Sequence, residues 1–133
     1  MKIEKLKQKE KRKVFRDYYQ LDPDEIAIGI VGRVVPVKNH QLFLKAIRFA
    51  KDKTNKKFRA FIIGDGEDLP AIKIFASEYG INYSDQEYLT SFDKFLFEKH
   101  QMRTDLENSG FLCFTSWIRN VDYALAGLDI LAL

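Results

Sequence analysis

Two basic residues follow an apolar segment at a spacing suited to binding an anion. Residues 26–31 read Ile-Ala-Ile-Gly-Ile-Val, and Gly32, Arg33 and Lys38 follow, with Asn39 next. Gly32 permits a sharp turn because it has no Cβ, and Asn39 is a good N-cap for a helix. Backbone N–H groups and the helix dipole favour an anion at such a place. The pattern predicts a diphosphate site; the alternative is that both cations are ordinary solvated loop residues.

Such a site needs strands and helices to position it. The β-branched run 26–31 is typical of a strand buried on both faces, and 58–63 indicates a second strand. Two segments, 39–51 and 69–80, space apolar residues for one face of a helix. Strands alternating with helices imply right-handed βαβ units. We therefore predict an α/β fold, a three-layer Rossmann-like parallel sheet. The expected helical core residues are Phe43, Ala46, Ile47, Ala50, Ile72, Phe75, Ala76 and Tyr79.

Composition indicates one globular domain. The chain has 133 residues, of which 46% are hydrophobic and 31% charged. Its single cysteine, Cys113, excludes an internal disulfide. No apolar run reaches the length of a membrane span, so a cytoplasmic location is the expectation.

The start of the chain is strongly basic. Residues 1–16 carry eight basic and two acidic side chains. A basic helix of this kind can bind nucleic acid or an anionic membrane. No aromatic residues alternate with the lysines to stack on bases, however. We favour a solvated helix and predict no nucleic-acid partner. The predicted organisation is a basic helical lead-in at 1–24 and a Rossmann-like domain at 25–133.

Two further segments carry weaker signals. Gly64 and Gly66 follow the second strand without the third glycine of a dinucleotide fingerprint, so a tight turn explains them. Residues 82–110 are rich in aromatics and suggest a helical insertion, either as an interface or as added core. His100 lies there without a second histidine or cysteine nearby, so no metal site is expected. His40 is interpreted as a helix-start residue.

The last part of the chain repeats the strand–helix pattern. Residues 111–114 predict a third strand in which Cys113 serves packing. A loop at 115–121, a short helix at 121–125 and a buried strand at 129–133 follow. Asp129 is expected to be structural.

The residues around Gly32 also resemble a known family. Gly32-Arg33-Val34-Val35-Pro36-Val37-Lys38-Asn39 is similar to the start of the C-terminal, nucleotide-sugar-binding domain of family 4 (group 1) retaining glycosyltransferases of GT-B fold. The resemblance implies that Arg33 and Lys38 hold the diphosphate of a nucleoside diphosphate sugar, with UDP as the expected nucleotide. It also implies that Trp117 and Ile118 lie in the loop that meets the nucleobase. Ser116 replaces the glycine usual in that loop.

The resemblance covers about residues 15–133 and implies a fragment of a longer enzyme. The family's glutamate-bearing helix and N-terminal acceptor domain are not in this sequence, so the fragment alone is expected to be inactive. The implied reaction is sugar transfer with retention, as in polysaccharide biosynthesis, without a metal or cofactor. Peripheral membrane contact would come through the parent chain. Two alternatives stay open: a nucleotide-sugar epimerase of GT-B fold and a non-catalytic α/β interaction domain.

Overall fold

Five parallel strands form a single sheet in the computed structural model, which describes residues 2–85, 91–98 and 111–132. Every pair of neighbouring strands is parallel. Their spatial order is β3-β4-β2-β1-β5. The strands are β1 (Ile26–Val31), β2 (Phe58–Ile63), β3 (Tyr83–Asp85), β4 (Leu112–Ser116) and β5 (Ile130–Ala132). The predicted α/β, Rossmann-like fold is confirmed.

Helices cover both faces of the sheet. They are α1 (Lys2–Tyr18), α2 (His40–Lys53), α3 (Leu69–Glu78), α4 (Ser91–Glu98) and α5 (Val121–Gly127), and a 3₁₀ turn spans Pro36–Lys38. Alternate residues of β2 enter different cores: Ala60 and Ile62 pack with α2 and α3, whereas Phe61 and Ile63 pack with α1 and α5. A strand with two apolar faces therefore produces the three layers. None of the helices in the described residues has the length and apolar character needed to cross a membrane.

The end of α1 belongs to the core. Phe15, Tyr18 and Tyr19 are at most 3% exposed. The ring of Phe15 lies 5.5 Å from that of Phe61 on β2. A Cβ on Gly127 would come within 2.4 Å of the Phe15 ring, so α5 crosses α1 at close range. The basic helix is thus more than a solvated lead-in, because its last turn supplies large apolar side chains to one face of the sheet.

A buried arginine joins α1 to the amino-terminal edge of the sheet. Arg16 donates hydrogen bonds to the carbonyls of Asp22, Glu25 and Gly127 and to the carboxylate of Asp129. Asp129 also accepts a 2.8 Å hydrogen bond from the Ala27 N–H of β1. Partial burial alone would raise the pKa of Asp129, but the Ala27 N–H and two arginines lower it below its ordinary value. The prediction that Asp129 is structural fits these contacts.

The buried face of α2 differs from the predicted stripe. Phe43 and Ile47 are buried as expected, but Ala46 is exposed and Leu44 is fully buried. His40 extends the same face at the start of the helix. The helix is therefore rotated toward its larger apolar residues, because burying leucine removes more apolar surface from water than burying alanine. In α3, Ile72 and Ala76 are buried while Tyr79 is 41% exposed.

Residues 82–110 hold one strand that the sequence analysis did not assign. The three-residue strand β3 pairs with β4 at the edge of the sheet, and α4 places Phe92 in the core while Phe97 is 90% exposed. Residues 99–110, which include His100, lie outside the described residues, so the helical insertion at 82–110 stays a prediction. The last strand corrects an expectation: Ile130 and Leu131 are 50% and 43% exposed, because β5 pairs only with β1 among the described strands.

Candidate functional site

Three loops meet at the carboxyl-terminal edge of the sheet. They follow β1, β2 and β4, and backbone hydrogen bonds of 3.0 Å tie them together. The Gly32 N–H donates to Ile63, the Val34 N–H donates to Asp65, and the Gly64 N–H donates to Ser116. Ligands of open α/β sheets bind at this edge, where successive loops converge.

Glycines allow the first two loops to touch. Gly64 has a φ of 151°, and a Cβ there would lie 1.9 Å from the Gly32 carbonyl oxygen. A Cβ on Gly66 would lie 2.4 Å from the Val34 carbonyl oxygen. Gly32 itself has a φ of 143° with open space where its Cβ would be. Gly64 and Gly66 thus serve contact between loops, consistent with their interpretation as turn residues.

A cavity of about 400 Å³ lies among these loops. Its lining combines one cation, one carboxylate, a glycine and an indole: Arg33, Asp65, Gly66 and Trp117. Asp65 Oδ1 accepts a 2.7 Å hydrogen bond from the Gly66 N–H. The side chain of Trp117 is half-exposed. The surface therefore offers positive charge, hydrogen-bond acceptors and an aromatic face within one concave site.

Arg33 and Lys38 lie on the same loop, and both are exposed. Within the described residues, neither side chain forms a hydrogen bond or an ion pair. Arg33 lines the cavity, whereas Lys38 ends the 3₁₀ turn and is not among the lining residues. Asn39 follows in the left-handed region, and its side chain accepts a 3.3 Å hydrogen bond from Leu42 N–H. Asn39 is therefore the N-cap, as predicted.

The loop after β4 separates the two residues expected near a nucleobase. Trp117 reaches the cavity, but the Ile118 side chain is 1% exposed and packs in the core on the α1 side of the sheet. Ile118 can therefore meet a ligand only through its main chain. Ser116 has a φ of 63°, and the pairing of β4 with β2 shifts by one residue there. Ser116 occupies a backbone conformation that favours glycine.

Asp93 of α4 supports this loop. The sequence analysis did not predict a role for it. Its carboxylate accepts hydrogen bonds from the backbone N–H groups of Arg119 and Asn120, at 2.7 and 3.0 Å. The Asn120 amide donates a third, at 2.8 Å. Asp93 and Arg119 are 26 residues apart in the sequence, so local spacing offered no signal for the contact.

The described residues contain neither a reactive cysteine nor a cluster of metal ligands. Cys113 is buried, and burial raises the pKa of its thiol to about 11, so it is not a nucleophile at neutral pH. Among the described residues, no three His, Cys, Asp or Glu side chains cluster as metal ligands.

A second cavity of about 410 Å³ lies at the amino edge of the sheet. Several of its cations are already engaged: Arg59 pairs with Glu25 at 3.6 Å, and Lys51 lies 4.5 Å from the Phe111 ring centre. The chain immediately before Phe111 lies outside the described residues. The carboxyl edge, with its three converging loops, is the better candidate site.

Comparison with known proteins identifies the family. A family model described as "Glycosyl transferases group 1" matches residues 11–90, which is more than half of the chain and includes Gly32, Arg33 and Lys38. No curated protein matches the chain. On the strength of the family match, the chain belongs to the group 1 glycosyltransferases.

Proposed function

We propose that this chain is part of the nucleotide-sugar-binding domain of a family 4 retaining glycosyltransferase of GT-B fold. Its parent enzyme transfers a sugar from a nucleoside diphosphate sugar, most simply a UDP-sugar, to an acceptor. The observation that carries the proposal is Arg33 lining a cavity at the carboxyl edge of the parallel sheet in a group 1 glycosyltransferase.

The charges at this edge suit a diphosphate. Arg33 and Lys38 are unengaged within the described residues, and the N-terminus of α2 lies on the same loop. Both cations and the helix dipole stabilise negative charge. During transfer, charge builds on the departing diphosphate, and pre-positioned cations lower the barrier by stabilising it. In this proposal Arg33 and Lys38 hold the diphosphate, and Gly32 lets the backbone approach it.

The remaining lining residues suit the uncharged parts of the donor. A carboxylate repels phosphate but accepts hydrogen bonds from sugar hydroxyls, so Asp65 faces a hydroxyl-bearing part of the ligand. The Trp117 indole offers a flat surface on which a base can stack. Both roles place chemically matched groups around one nucleoside diphosphate sugar.

Calorimetric titration of the full-length protein with UDP tests the proposal. Arg33→Ala and Lys38→Ala should each weaken binding about tenfold or more, because a hydrogen bond to a charged group contributes about 1.5–3 kcal/mol. Lys56→Ala, at the amino edge, serves as the matched control and should leave the affinity unchanged. If both variants bind UDP with an affinity within twofold of that of the wild-type protein, the diphosphate site is contradicted.

Product analysis separates transfer from the alternatives. A retaining transferase gives a product with the donor's anomeric configuration and needs an acceptor. An epimerase would convert the nucleotide sugar with no acceptor present. An interaction domain would bind no nucleotide at all.

A further inference from the structure

His40 is buried at the first turn of α2, and its ring has no hydrogen-bond partner in the part of the chain that the structure describes. Its side chain is 1% exposed, and neither Nδ1 nor Nε2 forms a hydrogen bond within the described residues. Buried polar groups in proteins are nearly always hydrogen-bonded, so an unpartnered imidazole calls for an explanation. The sequence interpretation of His40 as a plain helix-start residue does not supply one.

The position of His40 links it to the candidate site. It directly follows Asn39, the N-cap that closes the loop carrying Arg33 and Lys38. Two charged groups act on its ring: Asp68, from the loop after β2, and Lys38, from the 3₁₀ turn. The Asp68 N–H donates a 3.0 Å hydrogen bond to the Val34 carbonyl. His40 therefore lies where the first two loops of the carboxyl edge meet.

The surroundings of His40 oppose a positive charge. Burial lowers the pKa of the imidazole, Asp68 raises it in part, and Lys38 lowers it further. The positive end of the α2 dipole acts in the same direction as Lys38, because a cation is disfavoured at a helix N-terminus. The site therefore favours the neutral form of the ring.

We propose that His40 is a positioning residue for the carboxyl-edge site: neutral, it is buried where the loop that carries Arg33 and Lys38 enters α2, and when protonated it loosens the contact of that loop with the loop after β2. The change in the loop does not depend on the proposed function. The effect of that change on ligand binding rests on the proposed function.

The direction of the pH dependence follows from proton linkage. Since the pKa of His40 in the folded state lies below its ordinary value of 6.5, the folded state binds fewer protons than the unfolded state near that pH. The contribution of His40 to stability is therefore complete above about pH 6.5 and falls as the solution is acidified. A loosened contact between the two loops would leave the two cations less well placed for an anion.

Nuclear magnetic resonance of the full-length protein tests the loop change without any ligand. The ring signals of His40 are assigned with His40→Leu, and those of His100 with His100→Gln. We expect His40 to titrate below pH 6.5, and the backbone amides of Gly32, Val34 and Gly66 to shift with the same midpoint. Titration of His40 at or above 6.5, or amides that stay fixed through its midpoint, would overturn the proposal.

His40→Leu sharpens the test because leucine cannot ionise. Replacing a group that makes no hydrogen bond by an apolar one is close to neutral for stability, so the variant should fold at pH 7.5 and lose the acid-induced amide shifts. Persistence of those shifts in a folded His40→Leu protein would also overturn the proposal. If the variant does not fold, the titration of the wild-type protein still decides the question.

UDP binding gives a second readout. Between about pH 7.5 and 5.5, affinity should fall at least about threefold more in the wild-type protein than in His40→Leu, since only a binding-competent loop contributes to the apparent affinity. UDP is the same in both titrations, so the comparison cancels the effect of protonating its phosphate, which occurs near pH 6. A wild-type affinity that rises in acid relative to His40→Leu would mean that the imidazolium attracts the anion, contrary to the proposal. Absence of UDP binding at every pH would count against the proposed function, while the ligand-free titration would still decide the role of His40.

Discussion

The two edges of the sheet use their arginines in opposite ways. At the amino edge, the Arg16 side chain is 8% exposed and donates to three carbonyls and the Asp129 carboxylate. At the carboxyl edge, Arg33 is exposed and makes no hydrogen bond or ion pair within the described residues. A guanidinium whose donors are used holds the fold, whereas one whose donors are unused is available to an incoming anion.

Removing Arg16 should produce a large loss of stability. Arg16→Ala would remove a largely buried guanidinium that donates to three carbonyls and to Asp129, so we expect a loss of about 3 kcal/mol in the free energy of unfolding. Urea denaturation followed by circular dichroism measures it. Arg12→Ala is the matched control: Arg12 bonds the same carboxylate at 2.7 Å but is 40% exposed, so its loss should cost no more than about 1 kcal/mol. Equal losses would remove the distinction between the buried and the exposed arginine.

Arg33→Ala should behave in the reverse way from Arg16→Ala. Its free energy of unfolding should stay within about 0.5 kcal/mol of the wild-type value. The side chain of Arg33 is exposed and has no partner among the described residues, so it contributes little to stability. The UDP titration described above should nevertheless show weaker binding. A large loss of stability in Arg33→Ala would show that the carboxyl edge also depends on its cation for folding.

Gly64→Ala should disturb the contact between loops at the carboxyl edge. Gly64 and Gly32 share a strained φ, but only at Gly64 would the Cβ meet backbone. Both alanine variants should lose about 1–3 kcal/mol from strain, and Gly64→Ala should lose at least about 1 kcal/mol more from overpacking. Urea denaturation of the pair gives the difference, and losses of the same size would argue against the close approach.

A small gain in stability is expected at Ser116. Ser116→Gly relieves the left-handed backbone but gives the unfolded chain more freedom. The two effects oppose each other, so a gain of no more than about 1 kcal/mol is expected. Thermal melting would detect it, and Ser116→Ala, which keeps the strain, should show no gain. A clear loss of stability on changing Ser116 to glycine would mean that the serine side chain supports the loop.

Strong patterns were predictable from the sequence, and long-range contacts were not. The bounds of β1 and β2 match the predicted segments, because uninterrupted apolar runs suit strands buried on both faces. The strand β3 was missed since three residues of mixed polarity at an edge carry no periodicity.

The site was predictable to the extent that it lies on one loop. The turn at Gly32 and the cap at Asn39 follow from local backbone chemistry. The burial of Ile118 and the support from Asp93 depend on elements distant in sequence, and no local spacing encodes them. The burial of Phe15 was not predicted, because it follows a run of lysines in the sequence. One face of a helix can be buried although the segment as a whole is strongly basic.

The place of the indole at the cavity gives the chain a built-in optical probe. Trp117 is the sole tryptophan among 133 residues, and it is half-exposed beside Arg33. Excitation at wavelengths that tyrosine does not absorb would therefore report on the carboxyl edge alone. The emission of this one indole can thus follow occupancy of the candidate site without any attached dye.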